Sequence, residues 1–141
     1  MAKTIDMQLM RYINLFEKLS RVSTTNCFVY NNTIIFAIPK NKISKAIGKE
    51  GVIMKKLSLT FGKKAKVIEM PEETDTDSIE RFVEDVVSPV EFSKLEEEGA
   101  GVVIKAGRQS KAALIGRNRA RVEELEEILK RFFNIEKVRI A

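Results

Sequence analysis

A chain of 141 residues holds one domain or two small ones, and its 44% hydrophobic content is that of a folded protein rather than a disordered one. It has no histidine and one cysteine, Cys27. That excludes an intrachain disulfide and removes both the commonest general base and the ligands of a zinc site, so no metal or other cofactor is expected. The net charge of +5 is unevenly spread: residues 1–70 carry 13 Lys and Arg against 4 Asp and Glu, and residues 71–141 carry 12 against 16. The first half therefore favours a polyanionic partner.

No apolar run is long enough to span a bilayer, and MAKTIDMQLM lacks the apolar core of a secretion signal. A cytoplasmic protein with no membrane partner is expected. In chain order, Thr4 is placed to cap a helix with Asp6 in its first turn. Ile5, Leu9, Tyr12, Ile13, Phe16 and Leu19 then recur at helical spacing. Two β-rich runs follow, CFVY and TIIFAIP, joined by Asn31-Asn32, a pair that tolerates the positive φ of a tight hairpin turn. Cys27 lies in the first run, where a buried inert thiol is expected. SKAIG reads as a short helix, GKEG as a loop, VIMKKLSLTFG as a longer helix and AKVIEM as a strand.

Residues 71–78, PEETDTDS, read as an acidic linker, with Asp77 and Glu80 spaced as a capping box for the next helix. Ile79, Phe82, Val83 and Val86 form that helix's apolar face, and Pro89 lies beyond its end. VEFSKLEEE and GVVIKA read as strands, SKAALIG as a short helix, GRNR as a loop, ARVEELEEILKRFFN as a long helix and KVRIA as a strand. Glu126/Lys130 and Glu127/Arg131 in that helix have the spacing of ion pairs. The second half thus repeats the element order of the first, with Ile-Gly before the loop in both copies. The expectation is an α+β chain of two αββααβ units, residues 1–70 and 79–141. Each unit is a three-stranded mixed sheet with helices on one face.

The loop 48–51 carries the chemistry. Gly48 permits a left-handed helix end, and Gly51 leaves the next helix N-terminus bare, where unpaired N–H groups and the helix dipole favour an anion. Lys45, Lys49, Lys55 and Lys56 add positive charge, against one acid, Glu50. Ile43, Ile47, Val52, Ile53 and Ile68 are candidates for an apolar groove beside it. In the second loop, Gly116-Arg117-Asn118-Arg119, the closing glycine is an arginine. Either the backbone stays farther from a phosphate or the turn places positive φ on Asn118. Arg117, Arg119 and Arg121, with Lys111 and Arg108 upstream, can grip phosphate through side chains. Equally, this half braces the first, with its arginines paired to Glu123 and Glu124, and its acidic surface around Glu96 to Glu98 faces a protein.

IGKEG between two helices inside a βααβ core resembles the K-homology (KH) domain, whose Gly-x-x-Gly loop clamps nucleic-acid backbone. The added helix and strand are similar to the type II arrangement. Two units in tandem resemble the KH pair of the NusA family of transcription factors, in the short form found in archaea. The resemblance implies single-stranded RNA as ligand, with the residues at positions 45, 47–52, 55, 56, 111, 116–119 and 121 as its contacts. It implies a role in transcription elongation, termination or antitermination, with RNA polymerase or other transcription proteins as further partners. The additional domains of bacterial NusA have no counterpart here, so polymerase contact by those routes is not implied. The alternative is a ribosome-associated or ribosome-assembly protein using the same fold. An enzyme is not expected: the carboxylate pairs Glu72/Glu73 and Asp75/Asp77 lie in the linker, and GKEG is not a nucleotide-triphosphate loop.

Overall fold

The computed structural model describes residues 6–141; Thr4 and Ile5, read as a cap and an apolar position of the first helix, lie outside them. The chain divides into two compact units, Met1–Met70 and Pro71–Ala141. In the first, helix α1 (Met7–Ser20) is capped by Asp6, whose carboxylate accepts from the Gln8 and Leu9 N–H groups at 2.8 and 3.4 Å. Asp6 is thus the cap itself, not a first-turn residue. Strands β1 (Cys27–Tyr30) and β2 (Thr33–Ile38) pair antiparallel through Asn31 and Asn32, at φ 49° and 60°. Helices α2 (Ile43–Ile47) and α3 (Val52–Phe61) carry the chain back to β3 (Lys64–Glu69), which lies parallel to β2 in the order β1-β2-β3.

The helices pack on one face of this sheet. Ile34, Phe36 and Ile38 of β2 meet Tyr12, Phe16, Ala46 and Leu57, with Cys27 buried in the same cluster. Phe16 stacks on Phe36 at 4.1 Å between centroids, and Tyr12 meets Phe61 edge-on at 4.7 Å. Ile35 and Ala37, on the opposite face of the strand, are buried as well. That is why TIIFAI reads as a continuous apolar run rather than an alternating one.

The second unit repeats the plan. It runs α4 (Thr76–Val87), β4 (Lys94–Glu98), β5 (Gly101–Lys105), α5 (Arg108–Ile115), α6 (Ala120–Phe133) and β6 (Lys137–Ile140). The sheet order is β4-β5-β6, antiparallel then parallel. Ile79, Phe82, Val83 and Val86 of α4 are buried, as their spacing predicts, and Phe82 meets Phe133 edge-on at 5.1 Å.

The structure around α4 and β4 differs from the sequence reading. Helix α4 starts at Thr76, so residues 76–78 of the linker are its first turn; Asp75 stands at the cap and receives the Ser78 hydroxyl at 2.5 Å. The Asp77/Glu80 capping box does not form, because Glu80 reaches across to accept the Leu95 N–H of β4 at 2.9 Å. The strand read from Val90 begins at Lys94, since the Val90 N–H turns back onto the Val87 carbonyl at 3.0 Å. Glu126 likewise accepts from the Val138 N–H of β6 at 3.0 Å, in place of the expected partner Lys130.

Candidate nucleic-acid interface

The Gly48 N–H closes α2 onto the Ser44 carbonyl at 3.1 Å, and Lys49 to Gly51 make one tight turn in which the Gly51 N–H bonds the Gly48 carbonyl at 3.2 Å. Gly48 sits at φ 82°, ψ 171°. This is extended backbone with the glycine-only sign of φ, not the left-handed cap expected from sequence. Glu50 at φ 55° and Gly51 at φ 72° hold the left-handed region. No side chain caps the N-terminus of α3. A Cβ on Gly48 would lie 3.0 Å from Ile53 Cγ1, whereas one on Gly51 would meet nothing within 4 Å. The main chain at Gly51 is therefore open to an approaching ligand.

Lys45, Lys49, Lys55 and Lys56 are all exposed around this turn, as is Glu50. Lys40 and Lys42, on the short turn ahead of α2, extend the basic surface. Neither of these two lies in the loop or its flanking helices; their signal in the sequence is the run KNK. Among the described residues none of the six lysines forms an ion pair. The apolar candidates separate. Ile53, 8% exposed, belongs to the core cluster, and Ile68 pairs in register with Ala37 on the sheet face away from α1–α3. Both are removed from the groove. Ile43 and Ile47 are half-buried and Val52 is 41% exposed, so the apolar surface beside the loop reduces to these three.

The second loop has nearly the same backbone. Gly116 (φ 75°, ψ 169°), Asn118 (φ 55°) and Arg119 (φ 64°) follow Gly48, Glu50 and Gly51. Arg119 adopts the left-handed conformation of the glycine it replaces, so the backbone course is kept and both Asn118 and Arg119 carry positive φ. Arg117, Arg119 and Lys111 are exposed. Arg121 is not a free contact: its Nε lies 3.2 Å from Glu124, and its side chain folds over Gly116, where an added Cβ would come within 2.6 Å of its Cγ. The acidic run of β4 is also engaged within the unit. Glu96 bridges Lys94 and Lys105 at 3.0 and 3.2 Å, Glu98 pairs with Arg139 at 3.2 Å, and Glu97 accepts from the Thr76 hydroxyl. Lysine hydrogen bonds hold the Glu96 carboxyl below the usual glutamate range.

Two αββααβ units in tandem, each turning between its paired helices on a positive-φ loop, define an α+β protein of the tandem KH-like class. No protein-family model matches the chain. It is similar to archaeal proteins named probable transcription termination protein NusA. That of Methanocaldococcus jannaschii is 27% identical over 132 residues, 91% of this chain and 69% of that protein. That of Halococcus morrhuae is 25% identical over 144 residues, covering both chains in full (100% and 100%). The crystal structure of APE1850 matches with a TM-score of 0.65 and 29% identity over 97% of this chain and 100% of that one. No helix among the described residues is long and apolar enough to cross a membrane.

Proposed function

We propose that this chain is a non-enzymatic RNA-binding factor of the NusA type. It grips single-stranded nascent RNA at the Gly48–Gly51 turn and acts in transcription elongation, termination or antitermination. The observation that carries this is the open main chain at Gly51, where a Cβ would meet nothing within 4 Å, set among lysines that form no ion pair among the described residues. A sugar-phosphate strand lies against that main chain, Lys45, Lys49, Lys55 and Lys56 supply counter-charge, and Ile47 and Val52 offer aliphatic contact to the bases. The likeness to the archaeal NusA proteins supports the process, with RNA polymerase or its associated proteins as further partners.

The test is binding of a short single-stranded oligoribonucleotide over a salt series. Affinity should fall with salt at a log–log slope of about −0.7 for each phosphate contacted. Lys49→Asp with Gly51→Asp should abolish binding and leave the circular-dichroism spectrum intact, because Asp tolerates the left-handed region better than most residues. Unchanged affinity would reject the turn as the site. Recovery with RNA polymerase from native extract is the expected outcome; co-sedimentation with a ribosomal subunit instead would assign the chain to ribosome assembly.

A further inference from the structure

At the end of α3 remote from the Gly48–Gly51 turn, two cations lie on two aromatic rings. The Arg11 guanidinium carbon stands 5.8 Å from the centroid of the Phe61 ring, and the Lys63 ammonium 5.8 Å from that of Tyr12. The rings themselves meet edge-on at 4.7 Å. Tyr12 is buried, Phe61 and Lys63 are half-buried, and Arg11 is exposed. Gln8 ties the group together: its amide oxygen accepts from Arg11 at 3.1 Å, and its amide nitrogen donates to the Tyr12 hydroxyl at 2.9 Å. Among the described residues neither Arg11 nor Lys63 forms an ion pair. A ring and an amide fix where a cation sits without cancelling its charge. Both charges therefore stay available to an external anion, and Lys64, exposed at the start of β3, adds a third.

The second unit shows what the packing alone requires. There Phe82 and Phe133 make a similar edge-on pair at 5.1 Å. The residue after the left-handed helix end is Lys63, after Gly62, in the first unit; in the second it is Ile135, after Asn134, only 8% exposed. The ring pair is common to both units; the lysine is not. Cations fixed around a half-exposed ring suit a polyanion that also carries flat apolar groups. Single-stranded nucleic acid has that form, whereas an acidic peptide supplies the charge without the flat face.

We propose that single-stranded RNA has a second contact on the first unit, apart from the turn: its phosphates meet Arg11 and Lys63, and a base rests on the Phe61–Arg11 pair. The site rests on RNA being this protein's ligand class, and it deepens that reading. Helix α3 has 10 residues, so about 15 Å separates its two ends. The turn stands at one end and the ring site at the other, a span that a strand of a few nucleotides covers.

The experiment titrates the full chain with a single-stranded oligoribonucleotide of about eight nucleotides and follows backbone amide and Phe61 ring shifts, with poly-glutamate as a second probe. Shifts at 8–12 and 61–64 are expected beside those at 48–54. Arg11→Gln with Lys63→Gln should lower the log–log salt slope by about 0.7 for each phosphate contact removed. Retained shifts at 48–54 in that variant report an intact fold. Lys94→Gln with Lys130→Gln removes the same formal charge from the second unit and should leave the slope unchanged. Shifts confined to 48–54 overturn the second contact and leave the RNA reading standing; shifts in neither region overturn both. An equal loss of slope in the second-unit variant, or the same shifts at 8–12 and 61–64 with poly-glutamate, shows diffuse charge instead of a site and also overturns the proposal.

Discussion

At Gly48 the backbone sits at φ 82°, ψ 171° with Ile53 side-chain carbons 3.0 Å from any added Cβ. At Gly51 it sits at φ 72°, ψ 21° with open space around it. The two glycines of the motif therefore carry different constraints. Gly48→Ala meets both a glycine-only dihedral and a core side chain, and should destabilise the first unit by about 2–4 kcal/mol in urea unfolding. Gly51→Ala meets only left-handed strain and should cost about 1 kcal/mol. Equal losses in the two variants would contradict this reading. The second loop supports the distinction, since glycine stays at 116 and only 119 has changed. The spelling Gly-x-x-Gly shows neither difference, because ψ and the neighbour of each missing Cβ are set by where α3 begins.

The elements form from local signals that were legible at nearly every position. Apolar spacing located α1 and α4, and Asn31-Asn32 located the first hairpin. Less legible were side chains whose partner is distant in sequence. Glu80 and Glu126 have the spacing of helix-local roles, yet each accepts an edge-strand N–H, at Leu95 and Val138 respectively. These carboxylates occupy donors on the two outer strands of the second sheet, β4 and β6, which blunts edge pairing. Replacing Glu126 by Ala leaves the Val138 N–H without its partner and should cost about 1–3 kcal/mol. Hydrogen exchange at the Val138 amide should accelerate in parallel; unaltered exchange would show that the carboxylate does not protect that edge.

Over the whole molecule the charge division persists in three dimensions with a difference in kind. The lysines around the first loop form no ion pairs among the described residues, while Glu96 and Glu98 of the second unit are consumed by Lys94, Lys105 and Arg139. Two carboxyls of the second unit sit below their ordinary pKa. The Ser78 hydroxyl lowers Asp75 from its ordinary 3.8, and Lys94 followed by Lys105 lowers Glu96 from its ordinary 4.5. A depressed carboxyl stabilises the fold above its unfolded pKa, and that contribution is lost as pH falls through the lower folded value. Acid should therefore weaken the second unit below about pH 4.5, reported by Leu95 and Val102 amides. High salt at neutral pH should weaken the exposed Glu96 bridges as well. Acid resistance of those amides down to the unfolding of the first unit would refute this assignment.

The sequence by itself determined the repeated αββααβ order, the basic first half and the position of both loops, because apolar periodicity, turn residues and charge are local properties of the chain. It also marked Lys45, Lys49, Lys55 and Lys56 around the first turn, since unpaired charges on short elements face outward. Only the tertiary structure decided that Ile53 and Ile68 serve the core instead of a groove. It alone placed Lys137, Val138 and Ile140 across a cleft from Arg119. Those outcomes depend on which face of an element meets which neighbour, a relation set by packing between segments far apart along the chain and not by the spacing of residues within any one of them.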